Sequence, residues 1–145
     1  MKAIETALSL TQAYKLGIER FEKMLGDEFS KAIELMNKTN EHIIICGMGK
    51  SGLVGRKISS TLASTGTPSI FLHPADAIHG DLGTVQKKSI VLLISYSGET
   101  EEIIALIPAF KRLDVTIVAL TGVKDSTLAS KADIILDTSV DREAC

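Results

Sequence analysis

Apolar residues recur along this chain in two rhythms, and the change between them divides it. Over residues 1–40 they step by three or four. Ile4, Ala7, Leu8, Thr11, Tyr14, Ile18, Phe21 and Leu25 share one helical face, Gly26-Asp27 interrupts it, and Phe29, Ile33 and Met36 begin a second, shorter stripe. From residue 41 onward, short apolar runs rich in β-branched residues alternate with helical sequence. The runs predict strands over His42–Cys46, Ser69–Leu72, Ser89–Ile94, Val115–Leu120 and Ile134–Leu136. Helices are predicted over Ser51–Thr65, Thr100–Leu113 (with Pro108 as a candidate kink) and Ser126–Lys131. Gly66-Thr67-Pro68 reads as a turn. His73–Val85 reads as irregular, broken by Pro74, Gly80 and Gly83, with a helical turn over Ala75–Ile78.

Strands alternating with helices imply a parallel sheet covered on both faces. The expected fold is an α/β three-layer sandwich: a five-stranded parallel sheet of flavodoxin-like order 2-1-3-4-5, helices on both faces, and an N-terminal helical segment. Residues 1–145 form one domain on this reading, with helices over 1–40 and an α/β core over 41–145. The first helices must bury their stripes, and a share on the sheet and a share on a second subunit is expected. In this strand order the first and third strands are neighbours where the winding reverses, and ligands bind outside the carboxyl ends of strands at that point.

Bulk properties add mainly exclusions. A chain of 145 residues, 45% apolar and 23% charged, suits one domain with a full core. The net charge of −2 gives no electrostatic reason to expect nucleic acid or an anionic membrane. No apolar run is long enough to cross a bilayer, and Met1-Lys-Ala-Ile-Glu lacks the features of a signal peptide, so a cytoplasmic protein is expected. Cys46 and Cys145 have no metal-type spacing, and His42, His73 and His79 form no zinc motif. Neither metal nor cofactor is expected, and Cys46 reads as a reduced structural thiol.

Candidate chemistry lies where the first and third strands end. Gly47-Met-Gly49-Lys50-Ser51-Gly52 matches the dinucleotide pattern G-x-G-x-x-G. However, His73-Pro74 stands where a ribose-binding acid is required, and Ile44 stands where a Walker loop needs its first glycine. What remains is a tight turn with one lysine and one hydroxyl at a helix start. Glycines serving only strand-to-helix packing explain this segment equally well. Ser95-Tyr96-Ser97-Gly98-Glu99-Thr100 is more telling: Ser95, Ser97 and Thr100 can supply donors to one phosphate, and Gly98 permits the turn. A plain N-cap needs only one hydroxyl. Glu99, Glu101 and Glu102 are partly expected in a first helical turn, and chemistry claims one of them at most.

These loops resemble those of the sugar-isomerase (SIS) phosphosugar-binding family, which carries G-x-x-x-S-G after its first strand and S-x-S-G-x-T after its third. Within it, Gly47–Gly52, Ser64-Thr-Gly-Thr-Pro68, His73-Pro74, His79-Gly-Asp-Leu-Gly83 and Glu143-Ala-Cys145 are similar to arabinose-5-phosphate isomerases, in the same order. The resemblance implies that Ser51, Ser95, Ser97 and Thr100 hold the sugar phosphate. It further implies that Lys50, Glu102 and Glu143 serve catalysis and that His79 lies near the substrate. Tyr96 stands where relatives often have asparagine or glutamine.

The implied reaction interconverts ribulose 5-phosphate and arabinose 5-phosphate through a cis-enediol(ate), for the eight-carbon acid of lipopolysaccharide. Either Glu102 or Glu143 would carry the proton, and Lys50 would stabilise the oxyanion. The resemblance also implies pairing into a dimer or tetramer. The family continues past the Glu-Ala-Cys motif with a further helix and usually a CBS pair, so the chain is expected to be C-terminally truncated, with an exposed apolar strip that makes it either associate tightly or be unstable alone. The alternatives are a non-catalytic phosphosugar sensor, which needs only the hydroxyl loops, and another SIS isomerase such as hexulose-phosphate isomerase.

Overall fold

The computed structural model describes residues 2–141. Two helices, α1 (Lys2–Met24) and α2 (Asp27–Lys38), precede the α/β core. The core runs β1 (Ile43–Gly47), α3 (Gly49–Ser64), β2 (Ser69–Leu72), α4 (Pro74–Ile78), a 3-10 turn (Asp81–Thr84), β3 (Ile90–Ile94), α5 (Glu101–Arg112), β4 (Thr116–Thr121), α6 (Thr127–Lys131) and β5 (Ile134–Asp137). All strand pairs are parallel, and the order is β2-β1-β3-β4-β5, as the pattern predicts.

Period-two side-chain alternation divides the core into two layers. Ile44, Cys46, Val91, Leu93, Ile117 and Ala119 face the side covered by α5 through Ile103, Leu106, Ile107 and Phe110. Ile43, Ile45, Ile90, Leu92 and Val118 face the other side, where Ala32, Leu35 and Met36 of α2 and Ile58 and Leu62 of α3 pack. Because both faces are covered, β1 and β3 are buried at every position. Each fully buried isoleucine contributes roughly 1.5–3 kcal/mol. Cys46 is a free thiol in this core, and burial pushes its pKa up to about 12.

The segment after β2, expected to be mostly irregular, is more ordered than that. Pro74 opens α4, where its missing N–H costs nothing, and Gly80 (φ 137°) turns the chain into the 3-10 turn. Ala77 and Val85 pin the segment to the core. Pro108 lies on the exposed side of α5, which runs unbroken from Glu101 to Arg112.

The N-terminal helices divide unequally. α2 buries Ala32 and packs on the sheet, whereas α1 has no buried residue. The far end of α1 is tied to the chain after β5: Arg20 pairs with Asp141 and donates to Ser139 Oγ (3.0 Å). That same chain is braced at Asp137, which accepts from Ser139 N–H (2.8 Å) and pairs with Lys124 (3.0 Å). Burial pushes the Asp137 carboxyl up, but the Ser139 hydrogen bonds and the Lys124 ammonium outweigh it and hold its pKa below the usual value. A depressed carboxyl stabilises the fold above its unfolded pKa, and that contribution is lost as pH falls through the folded one.

Candidate functional site

The register of the sheet sets where the site lies. Gly47 is paired with Ile94, so the β1–α3 and β3–α5 loops begin side by side at the carboxyl edge, at the point where the winding reverses. β2 ends one strand away with Cys46 opposite Leu72, which brings the half-buried His73 to the same edge.

The first loop is shaped by close packing. A Cβ on Gly52 would lie 2.6 Å from the Gly47 carbonyl oxygen, and one on Gly47 would lie 3.1 Å from Gly52 N. A Cβ on Gly55, which the pattern did not single out, would lie 3.0 Å from the Phe71 ring and 3.1 Å from Ile45. The packing explanation therefore holds for Gly47 and Gly52. Gly49 serves differently: its φ of 51° makes the left-handed step into α3, with open space around it. The helix starts two residues before the predicted Ser51 and so takes Lys50 into its first turn. Met48 is its N-cap and gives no side-chain cap, so the first-turn N–H groups remain available to an anion. Lys50 is exposed there and Ser51 half-buried.

The second loop is internally wired. Ser95 is buried, accepts from Gly98 N–H (3.1 Å), and shares a hydrogen with Thr100 Oγ1 (2.8 Å). With Ser95 donating in that bond, the Thr100 hydrogen is free to point at a ligand. Ser97 is exposed and accepts from Glu99 N–H (3.2 Å), which leaves its own hydrogen free. Thr100 is the N-cap of α5 and makes no side-chain cap bond, so this helix end is also open. Glu102 is half-buried in its first turn. Of the hydroxyls grouped as phosphate donors, Ser97, Thr100 and Ser51 can reach outward, while Ser95 is turned into the loop.

A third loop, after β4, braces the second. Tyr96 O accepts from Gly122 N–H (2.9 Å) and from Thr121 Oγ1 (3.1 Å), and a Cβ on Gly122 would lie 2.5 Å from the Tyr96 ring. Gly98 (φ 67°) sits where a Cβ would lie 2.0 Å from Ser126 Oγ. Glu99 accepts from Thr127 N–H (2.6 Å). The sequence reading missed this loop, although Thr121-Gly122 followed by Ser126 repeats the strand, glycine and hydroxyl pattern of the other two. His79 is exposed and forms the C-cap of α4. Glu143 lies outside the described residues, as does Cys145. Among the described residues no three acidic, histidine or cysteine side chains cluster to hold a metal.

An open parallel sheet whose switch point carries two helix starts without side-chain caps defines a doubly wound α/β domain. The chain belongs to the SIS domain family, whose model matches residues 35–145. It is 52% identical over 121 residues to arabinose 5-phosphate isomerase KdsD of Pseudomonas aeruginosa, covering 83% of this chain and 37% of that protein. Arabinose 5-phosphate isomerase KpsF of Escherichia coli O6:H1 is 49% identical over 118 residues, 81% of this chain and 36% of that protein. A solved Escherichia coli CFT073 protein in complex with arabinose 5-phosphate is 35% identical, with a TM-score of 0.88, covering 99% of this chain and 77% of that one. The chain thus spans a little over a third of the curated relatives it matches.

Proposed function

We propose that this chain is the phosphosugar-binding and catalytic domain of an aldose–ketose isomerase that interconverts D-ribulose 5-phosphate and D-arabinose 5-phosphate. The observation that carries the reading is the pairing of Gly47 with Ile94. It opens two helix N-termini without side-chain caps beside each other, one with Lys50 and the other with Glu102 in its first turn. Similarity to proteins named arabinose 5-phosphate isomerases supports the substrate class.

In this reading the phosphate lies against the two helix starts and takes hydrogen bonds from Ser51, Ser97 and Thr100, which fixes the reacting carbons. Glu102 removes the proton beside the carbonyl. The C–H electron pair becomes the double bond of a cis-enediolate, and the charge reaches the carbonyl oxygen near the Lys50 ammonium. The same carboxyl returns the proton to the neighbouring carbon, while a proton passes between the two oxygens. His79 stands near the substrate in the same reading, and Glu143 is the alternative proton carrier. The arabinose product would serve the eight-carbon acid of lipopolysaccharide, made in the cytoplasm.

Calorimetry with arabinose 5-phosphate, alongside an assay for ribulose 5-phosphate, tests this. Glu102→Gln is expected to lower kcat at least about a hundredfold with the phosphosugar Kd within about threefold. Tight binding by the wild type without turnover would replace the isomerase with a sensor module. Turnover of a hexulose 6-phosphate in preference to the pentose would move it to a neighbouring isomerase class.

Self-association belongs to the same reading. Ile4, Leu8, Tyr14, Ile18 and Phe21 of α1, with Leu25 just past its end, are between 44% and 68% exposed, a stripe along a helix about 35 Å long. A second copy of α1 would cover it as a helix pair. Leu8→Glu with Ile18→Glu is expected to reduce the sedimenting species to monomers while the core still unfolds cooperatively. An unchanged sedimentation coefficient would remove α1 from the interface.

A further inference from the structure

A carboxylate inside a loop that receives phosphate is an electrostatic liability, and Glu99 stands between Ser97 and Thr100. Its placement resolves that conflict. The carboxylate accepts from the N–H of Thr127 at 2.6 Å, at the positive end of α6, while its own N–H donates to Ser97 Oγ at 3.2 Å. One residue thus anchors the loop to its neighbour with its side chain and orients a ligand-facing hydroxyl with its backbone.

The neighbouring contacts act the same way. Gly98 accepts from Leu128 N–H (3.0 Å) and lies against Ser126, whose hydroxyl caps α6 by accepting from Ala129 N–H (3.3 Å). We infer that Glu99 is a positioning residue. Its carboxylate fastens the hydroxyl loop to α6, which holds Ser97 and the start of α5 in register for the phosphate and turns the negative charge away from it. This rests on the phosphosugar reading of the site and concerns its preorganisation, not the proton transfer. Glu99 would not touch the reacting carbons.

Glu99→Gln keeps an acceptor for Thr127 and removes the charge, whereas Glu99→Ala removes both. Three readouts separate the roles: calorimetric binding of inorganic phosphate, binding and turnover of arabinose 5-phosphate, and hydrogen exchange at the Thr127 amide. Glu99→Ala is expected to weaken binding of both ligands about five- to tenfold and to expose the Thr127 amide to exchange. Glu99→Gln is expected to restore binding to within about twofold and to restore protection.

Unchanged phosphate binding in Glu99→Ala would overturn the proposal. So would a loss of kcat in Glu99→Gln with ligand binding intact, because Glu99 would then be a catalytic residue. Phosphate binding by a wild type that fails to turn over arabinose 5-phosphate would refute the isomerase while leaving the Glu99 comparison fully measurable. A wild type that binds neither ligand would refute both.

Discussion

The two loops that open at the switch point solve the same problem with different materials. The β1–α3 loop is built from glycine: Gly47 and Gly52 let the backbone cross itself at contact distance, Gly55 lets the helix lie on Phe71 and Ile45, and Gly49 makes the left-handed step. Among the described residues no side-chain hydrogen bond engages Lys50 or Ser51, and both stand at the uncapped start of α3. The β3–α5 loop is built from hydroxyls, and most of their hydrogen-bonding capacity is used inside the loop and on its neighbour. The first loop is rigid by packing and the second by hydrogen bonding. Backbone approach tolerates no added atom, whereas a hydrogen-bonded network tolerates a conservative exchange of partners.

The largest expected effect falls on the charge that the glycine loop presents. Lys50→Met keeps the apolar stem and the helix start but removes the ammonium proposed to receive the oxyanion. It is expected to lower kcat by two to three powers of ten, on the scale of losing one oxyanion donor, with thermal stability within about 0.5 kcal/mol. A rise in KM with kcat unchanged would instead assign Lys50 to phosphate binding. It would also make the two loops alike in function as well as position.

Glycine offers the next comparison. Gly98→Ala places a Cβ 2.0 Å from Ser126 Oγ in a left-handed backbone (φ 67°), so steric overlap and conformational strain add. A loss of about 2–4 kcal/mol in thermal or denaturant unfolding is expected, with phosphate binding lost as the loop shifts off α6. Gly49→Ala has a similar φ of 51° but open space around it, so only the strain of about 1 kcal/mol applies. Equal losses at the two positions would show that the Ser126 side chain yields, and that the hydroxyl loop is less tightly fastened than its contacts imply.

Those contacts also mark where sequence reading stops. The five apolar runs specify the strands and the switch point, most clearly at β1 and β3, where burial on both faces leaves no polar position. α1 shows the limit of the same logic: a stripe at helical spacing shows that a face exists but not what covers it, and no residue of α1 is buried. The segment from His73 to Val85 was obscured by Pro74, Gly80 and Gly83, which punctuate two short ordered turns there without abolishing them. The loops that carry Lys50, Ser51, Ser97 and Thr100 could be placed at the carboxyl edge because strand ends fix loop positions, whereas Glu102 was singled out from its neighbouring acids only by the family resemblance. The inward turn of Ser95 could not, since residue types in a loop do not say which hydroxyls bond one another. Glu99 was hidden twice: acids are ordinary in a first helical turn, and its partner Thr127 lies 28 residues away.

Ser95 and Ser97 give the smallest difference and the sharpest one. Both are serines of one six-residue loop, and composition treats them alike. Ser95→Ala deletes a buried hydroxyl that accepts from Gly98 N–H and bonds Thr100, so it is expected to cost about 1–2 kcal/mol of stability. Its effect on phosphate affinity would come through Thr100. Ser97→Ala deletes an exposed hydroxyl, so stability should hold within about 0.5 kcal/mol while phosphosugar affinity falls about three- to tenfold. Thr100→Val separates the routes further, because an indirect role for Ser95 makes Ser95→Ala add little affinity loss to it. If Ser95→Ala and Thr100→Val instead add fully in phosphosugar affinity, Ser95 reaches the phosphate itself and both loops leave their polar groups to the ligand.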